Sequence, residues 1–362
     1  MAGLGSGIDF LVRRDDIREH RVAEVEVPEP GPGEALLTVD AFGLTANNIT
    51  YAHYGEAMSY WSFFPAADGW GKVPGWGFAT VAASARDDVP EGTRLYGYVP
   101  MSSHLLVAPD RANERGFMDG APHRAELPSP YNHYRRVDAD PYHDPDHENG
   151  EILLWPLYIT SYLLDDFLAD NRYFGASTAI VSGASSKTAI GAAYELANRD
   201  GIETTGLTSA RNREFVEGLG IYDRVASYDE VASLPEGLAI YVDVAGNVDA
   251  RRAVHERYGD SLAHSCAVGD AHRGGLGSGG AKLPGPAPQL FFAPYQAQKR
   301  TREWGADELE QRLAAAWREF VTWADEWLEV ERAQGAEALA AAYEEVLDGK
   351  TSPSVGHVLS LP

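Results

Sequence analysis

Residues 178–199 read TAIVSGASSKTAIGAAYELANR, and their pattern indicates the architecture of this part of the chain. The first residues form a short apolar run without alternation, which is typical of a strand buried on both faces of a sheet. A turn of small residues follows, and apolar residues then recur with helical spacing. The same order continues downstream in ETTGLT, NREFVEGLG, RVASY, LAIYVDVAG, VDARRAVHERYG and SLAHSCAVG. This alternation predicts an α/β fold with a doubly wound parallel sheet.

The sequence before this stretch has a different pattern. Short apolar segments alternate with turns rich in Gly and Pro in VAEVEVP, EALLTVDA, VPGWGFATVAAS, LYGYVP and HLLVAP. Many short strands of this kind predict a compact β-domain. Residues 110–150 are rich in Pro, Asp, His and Tyr and lack periodicity, so we expect a long loop or an insertion there. The segment LLWPLYITSYLLDDFLADN then predicts a helix.

After residue 288 the pattern is mostly helical. QLFFAP fits one further strand, and the pattern from Asp307 to Leu347 predicts helix. Four aromatic residues recur at nearly helical spacing in this part, and we expect them to face a core as a stripe. They are Trp317, Phe320, Trp323 and Trp327.

Composition limits the possible partners and the location. The chain has 362 residues, which favours two domains, and 54 acidic against 30 basic side chains give a formal charge of −24. So acidic a surface argues against binding to nucleic acid or to an anionic membrane, although solubility or adaptation to the host also explains it. The single cysteine, Cys266, excludes intramolecular disulfides and cysteine-rich metal sites. With no signal peptide or membrane span evident in the sequence, we expect a cytoplasmic protein.

The turn between the first buried strand and its helix is a candidate phosphate site. At this place in an α/β sheet, backbone N–H groups and the helix N-terminus face an anion. The motif G-x-G-x-x-G is not intact, since only Gly183 and Gly191 remain, but the small residues between them still allow a phosphate to approach closely. The candidate cofactor-binding residues in this turn are Gly183, Ser185, Ser186, Lys187 and Thr188.

The end of the second parallel strand indicates which dinucleotide binds. A site for NADH has an acidic residue there that binds the ribose 2′-hydroxyl. This chain has GLTSARNR instead, with Ser209 and Arg211 as candidate cofactor-binding residues and no acid. Hydroxyl and guanidinium groups suit a 2′-phosphate, so the sequence predicts NADPH as the cofactor. The alternative is that Arg211 and Arg213 are solvated residues at the start of a helix.

Several segments resemble the medium-chain dehydrogenase/reductase superfamily, in its zinc-independent quinone oxidoreductase and enoyl reductase branch. PEPGPGEALLTVDAFGLTANN is similar to its N-terminal signature, VPGWGFATV to its glycine-rich segment, and AYEEVLDGKTSPSVGHVLSL to its ending. Thr160 and Tyr162 fall where that superfamily has Thr-Ala-Tyr. Within it the chain looks most like a bacterial group of unassigned function. The resemblance implies a GroES-like catalytic domain of residues 1–155 and 291–362, a Rossmann domain of residues 156–290, and a cofactor between them.

The departures from this pattern concern the metal. Zinc-dependent relatives have a Cys after the first signature and a His-Glu pair in the second, whereas this chain has Thr45 near the first position and Trp76 and Gly77 at the second. The four-cysteine lobe of those relatives is also missing, so we expect no metal. A site formed by histidines of the 110–150 segment is the less favoured alternative; these are His133, His143 and His147.

The resemblance also implies a reaction and places residues for it. A zinc-free reductase delivers hydride to a polarised double bond of an enone, quinone or enoyl-type substrate, and an acid must then protonate the product. The candidate catalytic residues are Tyr51, Tyr54 and Asn48, with Asn47 competing for the position of Asn48. Each tyrosine could instead be a core aromatic residue.

The remaining candidate residues are assigned to the cofactor and to the substrate. By the resemblance Thr160 would lie under the nicotinamide, and Asn247 follows a sheet strand, where ligands bind in such folds. Trp61, Phe63 and Phe64 could line an apolar pocket for a small-molecule substrate, although packing explains them equally well.

Two matters remain open from the sequence. A nucleotide-binding redox sensor, or a non-redox lyase or isomerase on a reductase scaffold, would carry the same fold, because fold does not fix function. The superfamily that this chain resembles often forms homodimers through the edges of its nucleotide sheets, and QLFFAP could provide such an edge.

Overall fold

The computed structural model describes residues 5–268 and 283–362, which divide into two units. Unit 1 comprises Met1–Leu153 and Leu328–Pro362, and unit 2 comprises Leu154–Trp327. The sequence predicts that the first domain resumes at residue 291, whereas residues 291–327 belong to unit 2 in the structure. The reason is a helical pair, α6 (Ala293–Trp304) and α7 (Ala306–Ala324), whose aromatic stripe packs on unit 2.

Unit 1 is built on two antiparallel-rich sheets. Its strands are β1 (Ser6–Arg13), β2 (His20–Glu26), β3 (Ala35–Leu44), β4 (Trp70–Lys72), β5 (Pro74–Ser84), β6 (Arg94–Pro100), β7 (His104–Val107), β8 (Pro109–Asn113), β9 (Gly116–Asp119), β10 (His133–Arg136), β17 (Glu329–Gln334) and β18 (Val355–Ser360). The larger sheet has nine strands, in the order β17-β18-β3-β5-β6-β10-β9-β8 with β7 beside β3. A three-stranded sheet has the order β2-β1-β4.

The core of unit 1 lies between these strands and two helices. The helices are α1 (Ala46–His53) and α8 (Ala336–Leu347). Phe10, Phe42 and Tyr343 are fully buried in this core. Gly77 is required by the close pairing of β3 and β5, because an added Cβ would lie 2.1 Å from the carbonyl oxygen of Ala41.

Residues 110–150 are more ordered in structure than the sequence indicates. Of the two alternatives for residues 110–150, a long loop or an insertion, the long loop is wrong where β8, β9 and β10 extend the large sheet. The strands escape a pattern search because each has only four or five residues. Asp119 and Arg124 also form a buried ion pair, so two buried positions of this segment hold charged residues where a sequence pattern would show apolar ones.

Unit 2 is a six-stranded parallel sheet with helices on both faces. Its strands are β11 (Thr178–Ser182), β12 (Glu203–Thr208), β13 (Arg224–Ser227), β14 (Ala239–Asp243), β15 (Leu262–Ala267) and β16 (Gln289–Leu290). The helices are α2 (Glu148–Asp170, which begins in unit 1), α3 (Lys187–Ala197), α4 (Arg213–Gly218), α5 (Val248–Tyr258), α6 and α7. The strand order β13-β12-β11-β14-β15-β16 is the doubly wound 3-2-1-4-5-6 order, so the predicted α/β fold class is confirmed.

The helical pattern predicted for 307–347 is interrupted. Residues 329–334 form β17, which pairs in parallel with β18 at the edge of the large sheet. This charged edge strand, EVERAQ, buries too little apolar surface to show a strand pattern. The predicted aromatic stripe is confirmed as core for Trp317 and Phe320, which are each 1% exposed, whereas Trp323 is half-buried and Trp327 lies half-buried beyond the end of α7. The ring of Phe320 stacks on Tyr158 at 4.4 Å between centroids.

Within the described residues one helical stretch, Pro145–Asp170, is long and apolar enough to cross a membrane by length and composition alone. One such helix is weak evidence for a membrane span, because a buried core helix meets the same criterion. Of its most apolar window 61% is buried inside the structure, as in a core helix. Packing therefore accounts for the apolar character of α2.

Candidate functional site

The turn between β11 and α3 has the conformation that the sequence predicts for a phosphate loop. Gly183 adopts a φ of +71°, which favours glycine, and an added Cβ would lie 3.1 Å from Ala245. Its N–H donates to the hydroxyl of Tyr228 at 3.1 Å. Ser186 caps α3, because its Oγ accepts the N–H of Ala189. Lys187 is therefore the first residue of α3, at the positive end of the helix dipole.

Ser185 joins this turn to the neighbouring strand. Its Oγ accepts a hydrogen bond from Asn212 Nδ2 at 2.9 Å and lies 3.5 Å from the hydroxyl of Thr208. Sequence reasoning missed Asn212, although it stands between the two arginines of GLTSARNR. The bond holds the phosphate turn against the end of β12, where a dinucleotide ribose would be bound.

Gly191 packs α3 closely against α2. An added Cβ there would lie 2.8 Å from Ser161 Oγ, and that hydroxyl donates to the carbonyl oxygen of Thr188 at 2.7 Å. Gly191 therefore allows α3 to pack closely on α2. Thr160, the residue before Ser161 on α2, is half-buried.

A buried carboxylate organises the sheet edge beside the turn. Asp243, at the end of β14, is 1% exposed and accepts hydrogen bonds from Ser182 Oγ at 2.9 Å, Gly246 N at 2.9 Å and Arg251 Nε at 2.7 Å. The predicted Asn247 follows at the N-cap of α5. Its Oδ1 accepts two backbone N–H groups of that helix, so the structure gives Asn247 a capping role.

The two arginines after β12 have different surroundings. Arg213 contacts Glu217 at 2.8 Å and Glu230 at 2.7 Å, so two carboxylates offset its charge. Arg211 is exposed and Ser209 half-buried. Both residues therefore reach solvent beside the end of β12.

Lys187 is the cationic side chain at the phosphate turn. Burial lowers the pKa of its ammonium group to about 8, since a low-dielectric environment disfavours the charged form. A lysine in this state changes charge close to neutral pH. An anionic ligand would favour the protonated form and raise the pKa again.

In unit 1 the predicted catalytic residues lie on and after α1. Thr45 caps this helix in a capping box with Asn48, whose Oδ1 accepts the N–H of Thr45 at 2.7 Å. Asn48 Nδ2 donates to the carbonyl oxygen of Pro74 at 2.9 Å, and the side chain is 5% exposed. Asn48 therefore stabilises the N-terminus of α1 and joins it to β5.

Asn47, the competing position, is the asparagine that contacts Tyr51. Its Nδ2 donates to the Tyr51 hydroxyl at 2.8 Å, and Trp76 Nε1 donates to the same oxygen at 3.4 Å. Tyr51 is 6% exposed, and burial raises its pKa above the ordinary value. Tyr51 is therefore a neutral phenol at physiological pH, with its oxygen held by two N–H donors.

An aromatic cluster surrounds Tyr51. Its buried members are Tyr51, Tyr60, Phe63, Phe64 and Tyr98, with Tyr54, Met58, Trp76, Leu105, Leu127 and Tyr131 packed against them. Phe63 and Phe64, predicted as pocket residues, are 0% and 2% exposed, and Trp61 is also buried. These three therefore contribute packing. Tyr54 ends α1 and remains half-buried.

Two of the three candidate metal-binding histidines, His143 and His147, contact different carboxylates. His143 Nδ1 lies 3.0 Å from Glu151, and His147 Nδ1 lies 2.9 Å from Asp144. Among the residues that the structure describes, no group of three or more His, Cys, Asp or Glu side chains is arranged to hold a metal ion.

Comparison with known proteins places the chain in a family. The profile described as "Protein of unknown function (DUF2855)" matches residues 42–352, which include α1, the 110–150 segment and all of unit 2. The chain belongs to the DUF2855 family. No curated protein matches this DUF2855 chain.

Solved structures with the same fold are known. CurA from Vibrio vulnificus, in complex with NADPH, is 14% identical with a TM-score of 0.60 over 95% of this chain and 94% of that one. The quinone oxidoreductase from Coxiella burnetii is 12% identical, with a TM-score of 0.57 over 99% and 100%. The CurK enoyl reductase is 13% identical, with a TM-score of 0.54 over 98% and 99%.

At such low identity these likenesses concern the fold alone. They confirm the class predicted from the sequence, namely a GroES-like β-unit with a Rossmann unit. The DUF2855 chain therefore shares the architecture of quinone oxidoreductase and enoyl reductase structures. Whether it also resembles them in chemistry stays a prediction.

Proposed function

We propose that the chain is an NADPH-dependent, zinc-free reductase that delivers hydride to a carbonyl-activated C=C bond of an enone, quinone or enoyl-type substrate. The observation that carries this proposal is the phosphate turn of β11 and α3 together with the absence of an acid after β12. Architectures shared with an NADPH-bound CurA, a quinone oxidoreductase and an enoyl reductase support it. We further propose a small molecule as the substrate and a cytoplasmic location.

The residues of unit 2 fit the phosphate groups of NADPH. Gly183 has no side chain that would fill the turn, and Lys187 at the N-terminus of α3 provides a positive charge. Ser185 and Ser186 add hydroxyl groups, and Arg211 provides a fork of donors suited to the 2′-phosphate. NADPH, when bound, supplies a hydride to the substrate.

The residues of unit 1 fit an acid for the same reaction. Hydride addition to an enone or enoyl group leaves negative charge on the substrate, which a positioned acid must neutralise. We propose Tyr51 as that acid, because its hydroxyl is neutral and two N–H donors fix its position. Asn47 and Asn48 were alternatives for one catalytic position. We assign that position to Asn47, because its side-chain amide contacts the Tyr51 hydroxyl.

Arg211→Ala tests the choice of cofactor. NADPH binding is expected to weaken by about 1.5–3 kcal/mol, the contribution of a hydrogen bond to a charged group, while NADH binding stays nearly unchanged. Fluorescence titration with each dinucleotide measures both affinities. Arg252→Ala, at another partly exposed arginine of unit 2, is the matched control. Equal losses for the two dinucleotides would show that Arg211 does not contact the 2′-phosphate.

Lys187 makes the affinity for NADPH depend on pH. With a pKa of about 8, the ammonium is charged below that pH and neutral above it, so affinity is expected to fall as pH rises from 7 to 9. The full loss is about tenfold or more, since one charge-assisted hydrogen bond disappears. Lys187→Met should bind weakly and with a flat profile, while the exposed Lys350→Met should keep the wild-type profile. Identical slopes in the wild type and Lys187→Met would contradict a role for this ammonium.

Turnover separates the proposal from its alternatives. Oxidation of NADPH by enones, quinones or enoyl thioesters supports the reductase. Binding of NADPH without oxidation by any acceptor of a broad panel would favour a redox sensor or a non-redox enzyme. Failure to bind either dinucleotide at millimolar concentration would contradict all nucleotide-dependent functions.

We also propose a homodimer through the edge of the parallel sheet. Within the described residues β16 lies at one of the two edges of this sheet, and large apolar side chains around it are exposed. Leu290, Phe292 and Tyr295 have exposed fractions of 44%, 49% and 73%. Exposed apolar side chains beside an open strand edge are typical of a surface covered by a second copy.

A further inference from the structure

The hydroxyl of Ser185, in the phosphate turn, is bound on its acceptor side by two donors. A serine hydroxyl has two lone pairs and one hydrogen. Asn212 Nδ2 donates to Ser185 Oγ at 2.9 Å, and Thr208 Oγ1 donates to the same oxygen at 3.5 Å. These two bonds use the lone pairs, so the remaining capacity of the hydroxyl is to donate its hydrogen. Ser185 is half-buried, and part of the residue therefore faces solvent.

The backbone around Ser185 is fixed by contacts with β12 and the segment after it. The N–H of Ala184 donates to the carbonyl oxygen of Leu207 at 3.0 Å, and the Tyr222 hydroxyl donates to the carbonyl oxygen of Ala184 at 3.1 Å. β12 passes close to the turn, because an added Cβ at Gly206 would lie 3.1 Å from the Cβ of Ala184. Ser185 is therefore held in place without a ligand, and a donor fixed in this way binds an acceptor at a lower entropic cost.

The location of this hydroxyl matches one part of a dinucleotide. Ser185 belongs to the turn after β11, where a pyrophosphate binds in doubly wound sheets, and the ribose of the adenosine binds at the end of the second strand. Thr208 is the last residue of β12, and Asn212 ends the short helical turn Ala210–Asn212 that follows. The Ser185 hydroxyl thus lies between the place of the pyrophosphate and the place of the ribose.

We propose that Ser185 donates its hydroxyl hydrogen to the adenosine 2′-phosphate of NADPH, and that Asn212 sets this direction, so that the two residues together select NADPH over NADH. This inference rests on the proposed function, in which NADPH binds at this turn. Ser185 contacts the cofactor, whereas Asn212 and Thr208 are positioning residues.

The two dinucleotides differ in what they offer to this hydroxyl. The 2′-phosphate has only acceptor oxygens and is charged, and hydrogen bonds to charged acceptors are roughly twice as strong as bonds between neutral groups. The 2′-hydroxyl of NADH is a neutral acceptor, and it also carries a hydrogen that needs an acceptor of its own. Ser185 cannot accept that hydrogen, because Asn212 and Thr208 occupy its lone pairs. A group restricted to donation therefore favours the phosphate.

Ser185→Ala tests the donor. The affinity for NADPH is expected to fall about 10- to 100-fold, the loss of one hydrogen bond to a charged group, and the affinity for NADH by a few fold at most. Adenosine 2′,5′-bisphosphate and adenosine 5′-monophosphate differ by the same phosphate and lack the nicotinamide. Calorimetric titration with these two nucleotides should show the same contrast, which makes the measurement independent of turnover.

Asn212→Asp tests the direction of the bond. A carboxylate only accepts, so the Ser185 hydroxyl would donate to it and be lost to the phosphate. The ratio of the NADPH affinity to the NADH affinity is expected to fall about 100-fold or more, because charge repulsion adds to the lost bond. Asn212→Leu adds no charge and removes one neutral hydrogen bond, so the ratio should fall about threefold to tenfold.

Asn198→Asp is the matched control for the added charge. Asn198 follows the last residue of α3, at the end of the helix opposite the phosphate turn, and its Nδ2 donates to the carbonyl oxygen of Tyr194 at 3.1 Å. Salt screens exposed charges over such a length of helix, so this variant should keep the wild-type ratio.

The outcomes separate this inference from the proposed function. Equal losses for NADPH and NADH in Ser185→Ala, or an unchanged ratio in Asn212→Asp, overturn the selection by these residues and leave the reductase standing. Ser185→Ala decides the matter even if Asn212→Asp fails to fold. A wild type that binds the bisphosphate no more tightly than the monophosphate also overturns the inference. The expected shifts combined with no oxidation of NADPH by any acceptor support the inference and overturn the reductase.

Discussion

Replacing Arg124 by methionine is expected to lower the free energy of unfolding of unit 1 by about 3–5 kcal/mol, the cost of removing one partner of a buried ion pair. Arg124 Nε lies 3.0 Å from Asp119 Oδ2, and both side chains are 1% exposed. The carboxylate of Asp119 also accepts the N–H groups of Ala108 and Ala121. Methionine would leave this carboxylate buried with no cation to offset it.

The variant also removes packing from the aromatic cluster. The guanidinium of Arg124 lies 4.8 Å from the ring of Phe64 and contacts the Tyr134 hydroxyl at 3.4 Å. Urea unfolding followed by circular dichroism measures the loss. Arg13→Met is the control, because its pair with Asp15 is exposed and such pairs contribute less than about 1 kcal/mol. A loss in Arg124→Met no larger than in Arg13→Met would refute the structural role of this pair.

Tyr51→Phe is expected to lower kcat by about 10²–10⁴, the usual contribution of a positioned general acid. Phenylalanine keeps the ring contacts with Tyr60 and Tyr98, at 4.7 Å and 5.6 Å between centroids, and removes only the hydroxyl. Affinity for NADPH should not change, because the groups proposed to bind it lie in unit 2. Steady-state kinetics with NADPH and an enone, together with dinucleotide titration, measure both quantities.

The control for this variant is Tyr54→Phe. Tyr54 was the second candidate acid, so the two variants compare the tyrosines of one helix end directly. A large loss in Tyr51→Phe with a small loss in Tyr54→Phe supports the assignment, and the reverse would transfer the role to Tyr54. Wild-type turnover in both variants would remove both tyrosines from the mechanism.

Unit 2 could be predicted well because its signals are local. The strands TAIVS and AIYVD are short apolar runs, and the helices that follow them, α3 and α5, begin and end within a few residues of the pattern. The turn at Gly183 needs a glycine at positive φ, and this requirement is visible in the sequence. Contacts such as Asn212 to Ser185 could not be predicted, since they join residues from two different turns.

Unit 1 was harder because much of its order depends on distant pairing. β17 exists only beside β18, and β8 to β10 exist only as extensions of the large sheet. A short edge strand such as EVERAQ has no hydrophobic pattern of its own. The buried pair of Asp119 and Arg124 reads in the sequence as two ordinary surface charges.

By itself, the sequence determined the α/β class, the doubly wound sheet, the phosphate turn and the lack of an acid after β12, because local patterns and single residues encode these features. The tertiary structure alone brings Trp76 Nε1 to the hydroxyl of Tyr51 and Asn48 Nδ2 to the carbonyl oxygen of Pro74. Hydrogen-bond partners are chosen by side chains that meet through sheet pairing, and no spacing along the chain specifies that meeting.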